Sequence, residues 1–396
     1  MPEQQPNRIA ARMARELDEL REKSQLRSLE MPRGINLCSN DYLGLARDPR
    51  LKQAVAEAVA RAAQVGSTGS RLLMSGNSSE WEELESEFAE FAGIESALYF
   101  GSGYAANVGL LGAILKPHDV VFSDALNHAS IIDGIRLSMA RRVKYPHCDL
   151  DFLERALRRH QGGTGSRVIV TESIFSMEGD VAPLERLLRL AKNYGAELIV
   201  DEAHATGVRG PQGRGIAAEL GLERELLAIL HTCGKALASA GAFVCSSSLL
   251  KTFLINRART FIFSTAMPPY LAGQIRAALH LARAADDRRA HLLEIASVLR
   301  DDFSATGLTF GSSSTQIVSV ILGANEAALH VAAELQAKGF AVKAIRPPTV
   351  PTGTARIRLS LTSDISLDDV RRLAAAVAAA CKSLPHPAPA SNAAHA

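Results

Sequence analysis

The chain has 396 residues, 47% of them apolar and 22% charged, a balance that fits a globular protein with a large core and excludes disorder, collagen-like repeats and a disulfide-stapled miniprotein. Lys plus Arg number 44 against 42 Asp plus Glu, so the net charge of +2 gives no support to a nucleic-acid or membrane-surface protein.

Residues 8–30 carry charge pairs four apart and predict an amphipathic helix. An irregular stretch with Pro32, Gly34, Asn40, Asp41 and Gly44 follows, then a helix over about 49–63 and the small-residue loop Gly66–Ser70. From there the pattern alternates. Short β-rich runs fall at 97–100, 120–123, 167–171, 197–201, 228–232 and 241–245, with helices at 105–115, 129–140, 150–159 and 183–193. Such alternation predicts a mostly parallel sheet with helices on both faces, whose ligands sit beyond the carboxyl ends of the strands. After residue 270 the texture changes to a long helical region (270–304), a strand (316–322), a helix (326–338), strands at 340–345 and 355–361, and a last helix (367–382). The expected organisation is an N-terminal arm (1–48), a large α/β domain with a mixed but mostly parallel sheet (49–285), a small C-terminal α+β domain (286–384) and a flexible Pro/Ala-rich tail (385–396).

The five cysteines (Cys38, Cys148, Cys233, Cys245, Cys381) show no C-x-x-C spacing, and their odd count suits a reducing compartment, so a cytoplasmic protein is expected. No apolar run approaches the roughly 18 residues of a membrane span. The N-terminal stretch, with Glu16, Asp18, Glu19 and Glu22, does not read as a targeting peptide.

Three motifs carry chemistry. Gly101-Ser-Gly103-Tyr-Ala-Ala106 follows a strand and opens a helix, matching G-x-G-x-x-[GA], with Asp124 at the end of the next strand. A nicotinamide-dependent oxidoreductase is therefore a rival reading, and both rivals share a glycine turn that binds phosphate at a helix N-terminus. Asp201-Glu-Ala-His204 resembles the acidic box of a helicase, but no G-x-x-x-x-G-K-[ST] precedes it, so an NTPase is excluded. The third reading joins two of these segments. Asp201 ends one apolar strand, and Lys235 lies just past another, among small uncharged residues from Thr232 to Gly241. An acid and a lysine across a cleft, beside a phosphate-binding helix, is the constellation of pyridoxal phosphate enzymes. The acid keeps the pyridine nitrogen protonated, and a desolvated lysine forms the Schiff base. Taken singly, His128 also reads as a loop histidine, Ser176 and Thr232 as helix caps, and Arg346 and Arg358 as surface charges.

The blocks Ser39–Leu45, Gly101–Asn107, Asn127–Ser130, Thr171–Asp180, Asp201–Gly207, Ser264–Pro269 and Ile345–Pro351 together resemble the α-oxoamine synthase family of fold-type-I pyridoxal phosphate transferases, over about residues 25–383. The resemblance implies pyridoxal 5'-phosphate as cofactor, with Lys235 bonded to it, Asp201 on the pyridinium nitrogen, His128 on the ring face and His204 near O3′. It further implies cofactor contacts from Gly103, Tyr104, Ser176 and Thr232. Ser264 and Thr265 would reach the phosphate across a homodimer interface with shared active sites. Substrate contacts fall on Arg27, Asn40, His128, Thr349 and Arg358. Arg358 alternates with Ile357 and Leu359, so its side chain opposes the apolar ones on a strand, where it can grip a carboxylate. Within the family, Ile345-Arg346-Pro-Pro348 is most similar to the biotin-pathway acyltransferases. Those join L-alanine to a pimeloyl thioester of coenzyme A or acyl carrier protein, with loss of CO2. Glycine users that make 2-amino-3-ketobutyrate or 5-aminolevulinate are the alternative. One departure stands out: relatives place a glycine a few positions after the lysine, where this chain has Ala238 and Ser239.

Overall fold

The structure is a computed structural model that describes residues 8–384. The expected tail 385–396 and residues 1–7 of the expected arm lie outside the described residues. Strands are numbered in chain order: β1 (Ile35–Asn36), β2 (Ser96–Phe100), β3 (Val120–Asp124), β4 (Arg141–Tyr145), β5 (Arg167–Glu172), β6 (Glu197–Asp201), β7 (Ala228–Thr232), β8 (Ala242–Ser246), β9 (Ile317–Gly323), β10 (Phe340–Ala341), β11 (Ala344–Ile345) and β12 (Ala355–Ser360).

A seven-stranded sheet of order β2-β8-β7-β6-β5-β3-β4 forms the centre. Only β8 runs antiparallel to its neighbours, so the carboxyl ends of the other six strands share one edge. The sheet is mixed but mostly parallel, as expected. Its inner strands are apolar on both faces because helices cover both. Ile169, Val200, Ile229 and Phe243 point into one core. Val170, Ile199, Leu230 and Val244 point into the other, against Ala106, Leu110 and Leu111 of the helix Gly103–Ile114. By alternation the last residue of β6, Asp201, shares the side of Ile199, which carries it toward that helix.

The C-terminal part holds a three-stranded antiparallel sheet, β11-β12-β9, under the helices Asp286–Ala305, Asn325–Ala337 and Leu367–Lys382. Parallel pairing of β1 with β10 straps the N-terminal segment to it. Among the described residues, no helix is long and apolar enough to cross a membrane.

Several boundaries differ from expectation for identifiable reasons. The first helix covers Arg8–Glu22 and stops short of residue 30, because Ser24 takes a left-handed backbone (φ 52°) and the Gln25 amide turns back to the Leu20 carbonyl at 2.7 Å. The long region after 270 is two helices, Pro269–Arg283 and Asp286–Ala305. At the break the buried Arg289 guanidinium donates to the Ala282 carbonyl (2.5 Å), the Arg283 carbonyl (3.1 Å) and Asp286 (2.5 Å), supplying donors to the last turn of the first helix. The stretch 340–345 splits between two sheets. The sequence carried no expectation for the helix Ser79–Ala92, although Trp81, Leu84, Phe88 and Phe91 recur on its buried side. The edge strand β4 was also unforeseen, its Arg and Lys residues facing solvent.

Candidate active site

Three strand ends build the site. Glu172 closes β5, Asp201 closes β6 and Thr232 closes β7. Glu172 and Asp201 are register partners on adjacent strands. They open on a cavity of about 400 Å³ whose lining includes Gly103, Tyr104, His128, His204, Thr232 and Lys235. Fold topology alone brings these residues together from five segments of chain.

Asp201 is buried, and its hydrogen-bond donors are neutral: the Asn107 amide to Oδ2 (2.8 Å) and the Ala203 backbone to Oδ1 (2.9 Å). Lys235 follows β7 in a tight turn, with the Ala238 amide on the Lys235 carbonyl and the Ser239 amide on that of Cys233, both at 2.9 Å. Ala238 adopts a left-handed backbone, φ 44°, and its carbonyl accepts from Gln274 at 3.2 Å. Among the described residues the Lys235 amine has no hydrogen-bond or ion-pair partner. Burial lowers its pKa, opposed by the charges of Asp201 and Glu172.

Gly103 lies so close to Thr232 that a β-carbon there would come within 2.8 Å of the threonine methyl. It opens the helix Gly103–Ile114, capped by Ser102, whose Oγ accepts from the Ala105 amide. The Tyr104 hydroxyl donates to Asp133. His204 is fully enclosed, its Nδ1 bonded to the Tyr42 hydroxyl at 2.6 Å, and burial followed by the nearby Lys235 charge hold its pKa well below the usual value. His128 caps the next helix, Ala129–Ser138, and its own amide donates to Glu172 Oε1 at 2.7 Å. Burial, with repulsion from Asp201 second, pushes Glu172 up to about 8.

Arg358 on β12 reaches across from the C-terminal sheet. Its Nε donates to the Ser176 carbonyl (2.5 Å), and both Nη atoms donate to Asn40 Oδ1 (3.2 Å). Ser176, Arg358 and Asn40 lie outside the cavity lining, and Ser176 meets Arg358 through its backbone carbonyl. Arg27 and Thr349 meet each other (3.0 Å) on an exposed rim, outside the cavity lining. Ser264 and Thr265 are exposed and also outside it, on a loop pinned by the Ala266 amide to the Gly69 carbonyl (2.9 Å). The rival ribose-binding acid, Asp124, is engaged elsewhere: it accepts from the Leu126 and Cys148 amides at 2.9 Å and pairs with His147 at 3.0 Å. Asn107, Ser130, Glu172 and Tyr42 are site residues without an expected role. All four sit inside the sequence blocks quoted above, and that was their only signal.

The cavity fits pyridoxal phosphate on three counts: a lysine amine without a partner, a buried aspartate bonded only by neutral donors, and a glycine turn at a capped helix N-terminus. The sequence model of the family "Aminotransferase class I and II" matches residues 32–377. The chain is 45% identical to the 8-amino-7-oxononanoate synthase of Geobacter sulfurreducens, over 94% of this chain and 98% of that protein. Among solved structures it resembles a serine palmitoyltransferase from S. paucimobilis with bound PLP and myriocin (TM-score 0.87, 27% identity, 96% of this chain and 99% of that one). It also resembles the 8-amino-7-oxononanoate synthase of Francisella tularensis (TM-score 0.76, 29% identity, 88% and 98%). The chain belongs to the class I and II aminotransferase family of pyridoxal phosphate enzymes and, within it, to the 8-amino-7-oxononanoate synthases.

Proposed function

We propose that this chain condenses L-alanine with a pimeloyl thioester, giving 8-amino-7-oxononanoate, CO2 and the free thiol carrier, as a step of biotin synthesis in the cytoplasm. The observation that carries the reading is the partnerless Lys235 amine in a cavity that also holds Asp201 and is approached by Arg358. Bound pyridoxal phosphate supplies the electron sink that lets an α-carbon lose a proton and later a carboxylate. Lys235 Nζ is the atom that holds it. Once the amino acid takes its place, the same nitrogen would remove the α-proton, and burial lowers its pKa in the direction a base requires. Asp201 would hold the ring nitrogen in its protonated state, His204 with Tyr42 would meet the cofactor's hydroxyl, and His128 would hold the ring and contact the substrate. Gly103, Tyr104, Ser176 and Thr232 complete the cofactor pocket.

Arg358 is already aimed by Ser176 and Asn40 and grips the alanine carboxylate. Arg27 and Thr349 meet the acyl carrier, coenzyme A or acyl carrier protein, at the rim. In a homodimer, Ser264 and Thr265 of one subunit reach the cofactor phosphate of the other, which accounts for their exposure in a single chain. The boundaries 49–285 and 286–384 are our division into large and small domains. The test is thiol release with alanine, glycine and serine against several acyl thioesters. Alanine with the pimeloyl thioester is expected to be fastest; a preference for glycine moves the chain to the other branch of its family.

A further inference from the structure

The polarity of one hydrogen-bond relay beside the cavity fixes the state of His128. Ionised Asp201 can only accept, so the side-chain nitrogen of Asn107 must be the atom facing it, at 2.8 Å. The same nitrogen lies 3.0 Å from Ser130 Oγ and gives its second hydrogen there. The Ser130 hydroxyl proton is then free to point at His128 Nδ1, 2.7 Å away. A second donor, the Ser130 backbone N–H, reaches that same Nδ1 at 3.2 Å. A ring nitrogen that receives two donors carries no proton of its own. The ring proton therefore sits on Nε2, the edge turned away from Ser130. The His128 side chain is exposed on the cavity side, while Asn107 and Ser130 are buried.

We propose that Ser130, oriented by Asn107, is a positioning residue that holds His128 as the neutral imidazole protonated on Nε2. The inference rests on the functional reading above only for its use: an N–H donor above the cofactor can hydrogen-bond a substrate carbonyl but cannot serve as a base. Other titratable groups face His128 from the strand ends and the turns beyond them: Glu172 at the end of β5, Asp201 at the end of β6 with His204 just after it, and Lys235 after β7. Desolvation and the Lys235 charge favour the neutral ring, and Asp201 opposes them. The relay tips this balance, because imidazolium would bring a proton to Nδ1 against two donors.

The experiment is ¹⁵N NMR of histidine-labelled apoprotein, with the His128 signals assigned by their loss in His128→Gln. The expected pattern is an unprotonated Nδ1 and a protonated Nε2 at neutral pH, persisting below the ordinary histidine pKa. In Ser130→Ala the midpoint is expected to rise by about one unit, and in Ser130→Thr to stay in place. A protonated Nδ1 in the wild-type protein overturns the tautomer, and an unmoved midpoint in Ser130→Ala overturns the positioning role of the Ser130 hydroxyl. The wild-type pattern decides the tautomer by itself, whether or not the alanine variant folds. Covalent uptake of pyridoxal phosphate by the wild-type protein is measured separately. Its failure would strike the functional reading and not the imidazole.

Discussion

Two charged regions lie within a few strands of each other and are built on opposite plans. In the cavity, charges are left without charged partners. Lys235 has none, and Asp201 is bonded by an amide side chain and a backbone N–H. Away from the cavity, at the β4 edge of the sheet and at the β2 edge, buried charges are matched by opposite ones. His147 lies between Asp124 (3.0 Å) and Asp180 (2.9 Å), and Ser312 ties Asp180 to the C-terminal part at 3.1 Å. Burial disfavours its charge, yet the hydrogen bonds to both aspartates prevail and push its pKa up to about 12. Glu85, nearly inaccessible, takes Arg71, Lys251 (2.9 Å) and the Tyr99 amide (2.9 Å). Histidine shows the contrast within one residue type, since His147 meets acceptors at both nitrogens and is cationic, while His128 meets donors at Nδ1 and is neutral. Charges satisfied inside the chain support the fold, and charges left open await a ligand.

Four perturbations can break or sharpen that contrast, in falling order of effect. Lys235→Ala should lose at least about 10³-fold in turnover together with the absorbance of the lysine-bound cofactor, with the thermal midpoint of the apoprotein unchanged. A large drop in that midpoint would put Lys235 among the structural charges. Glu85→Ala should do the reverse, costing about 3–5 kcal/mol in denaturant unfolding by stranding two cations, with near-normal activity per folded molecule. Arg358→Lys should raise the KM for alanine by roughly 10–100-fold and leave that for the thioester in place, because an ammonium cannot reproduce the bidentate grip. An equal rise in both constants would remove its assignment to the carboxylate.

The smallest effect is a pH slope. Glu172 has a native pKa near 8 against 4.5 when unfolded, so between those values the native state holds the extra proton. Its contribution to stability is therefore complete below about 4.5 and lost as pH rises through 8. Apoprotein unfolding should show this as a decline of order 1 kcal/mol per pH unit at most. Glu172→Gln should flatten it, and an unchanged slope would assign the titration to another group.

The parallel sheet and the placing of Asp201 and Lys235 were legible because both depend on local pattern: apolar strands that end in a polar residue at one edge. Arg358 was legible from alternation along β12. The relay through Asn107 and Ser130 was not, because it joins positions 107, 130 and 201, which meet only after the helix Gly103–Ile114 packs on the sheet. Tyr42 was hidden for the same reason, its partner His204 lying far along the chain. Arg27 and Thr349 do meet, but outside the cavity lining, and Ser264 and Thr265 are exposed and outside it as well.

The residue three places beyond the reactive lysine resists the shape it is given. A left-handed alanine costs about 1–2 kcal/mol relative to an ordinary turn, and Gln274 clamps its carbonyl so that it cannot relax. The surrounding core thus keeps this turn under tension, like a preloaded spring with one stop. Under the proposed reaction, in which the Lys235 amine leaves its bond and returns in every cycle, that amine is carried by backbone held in this one turn geometry.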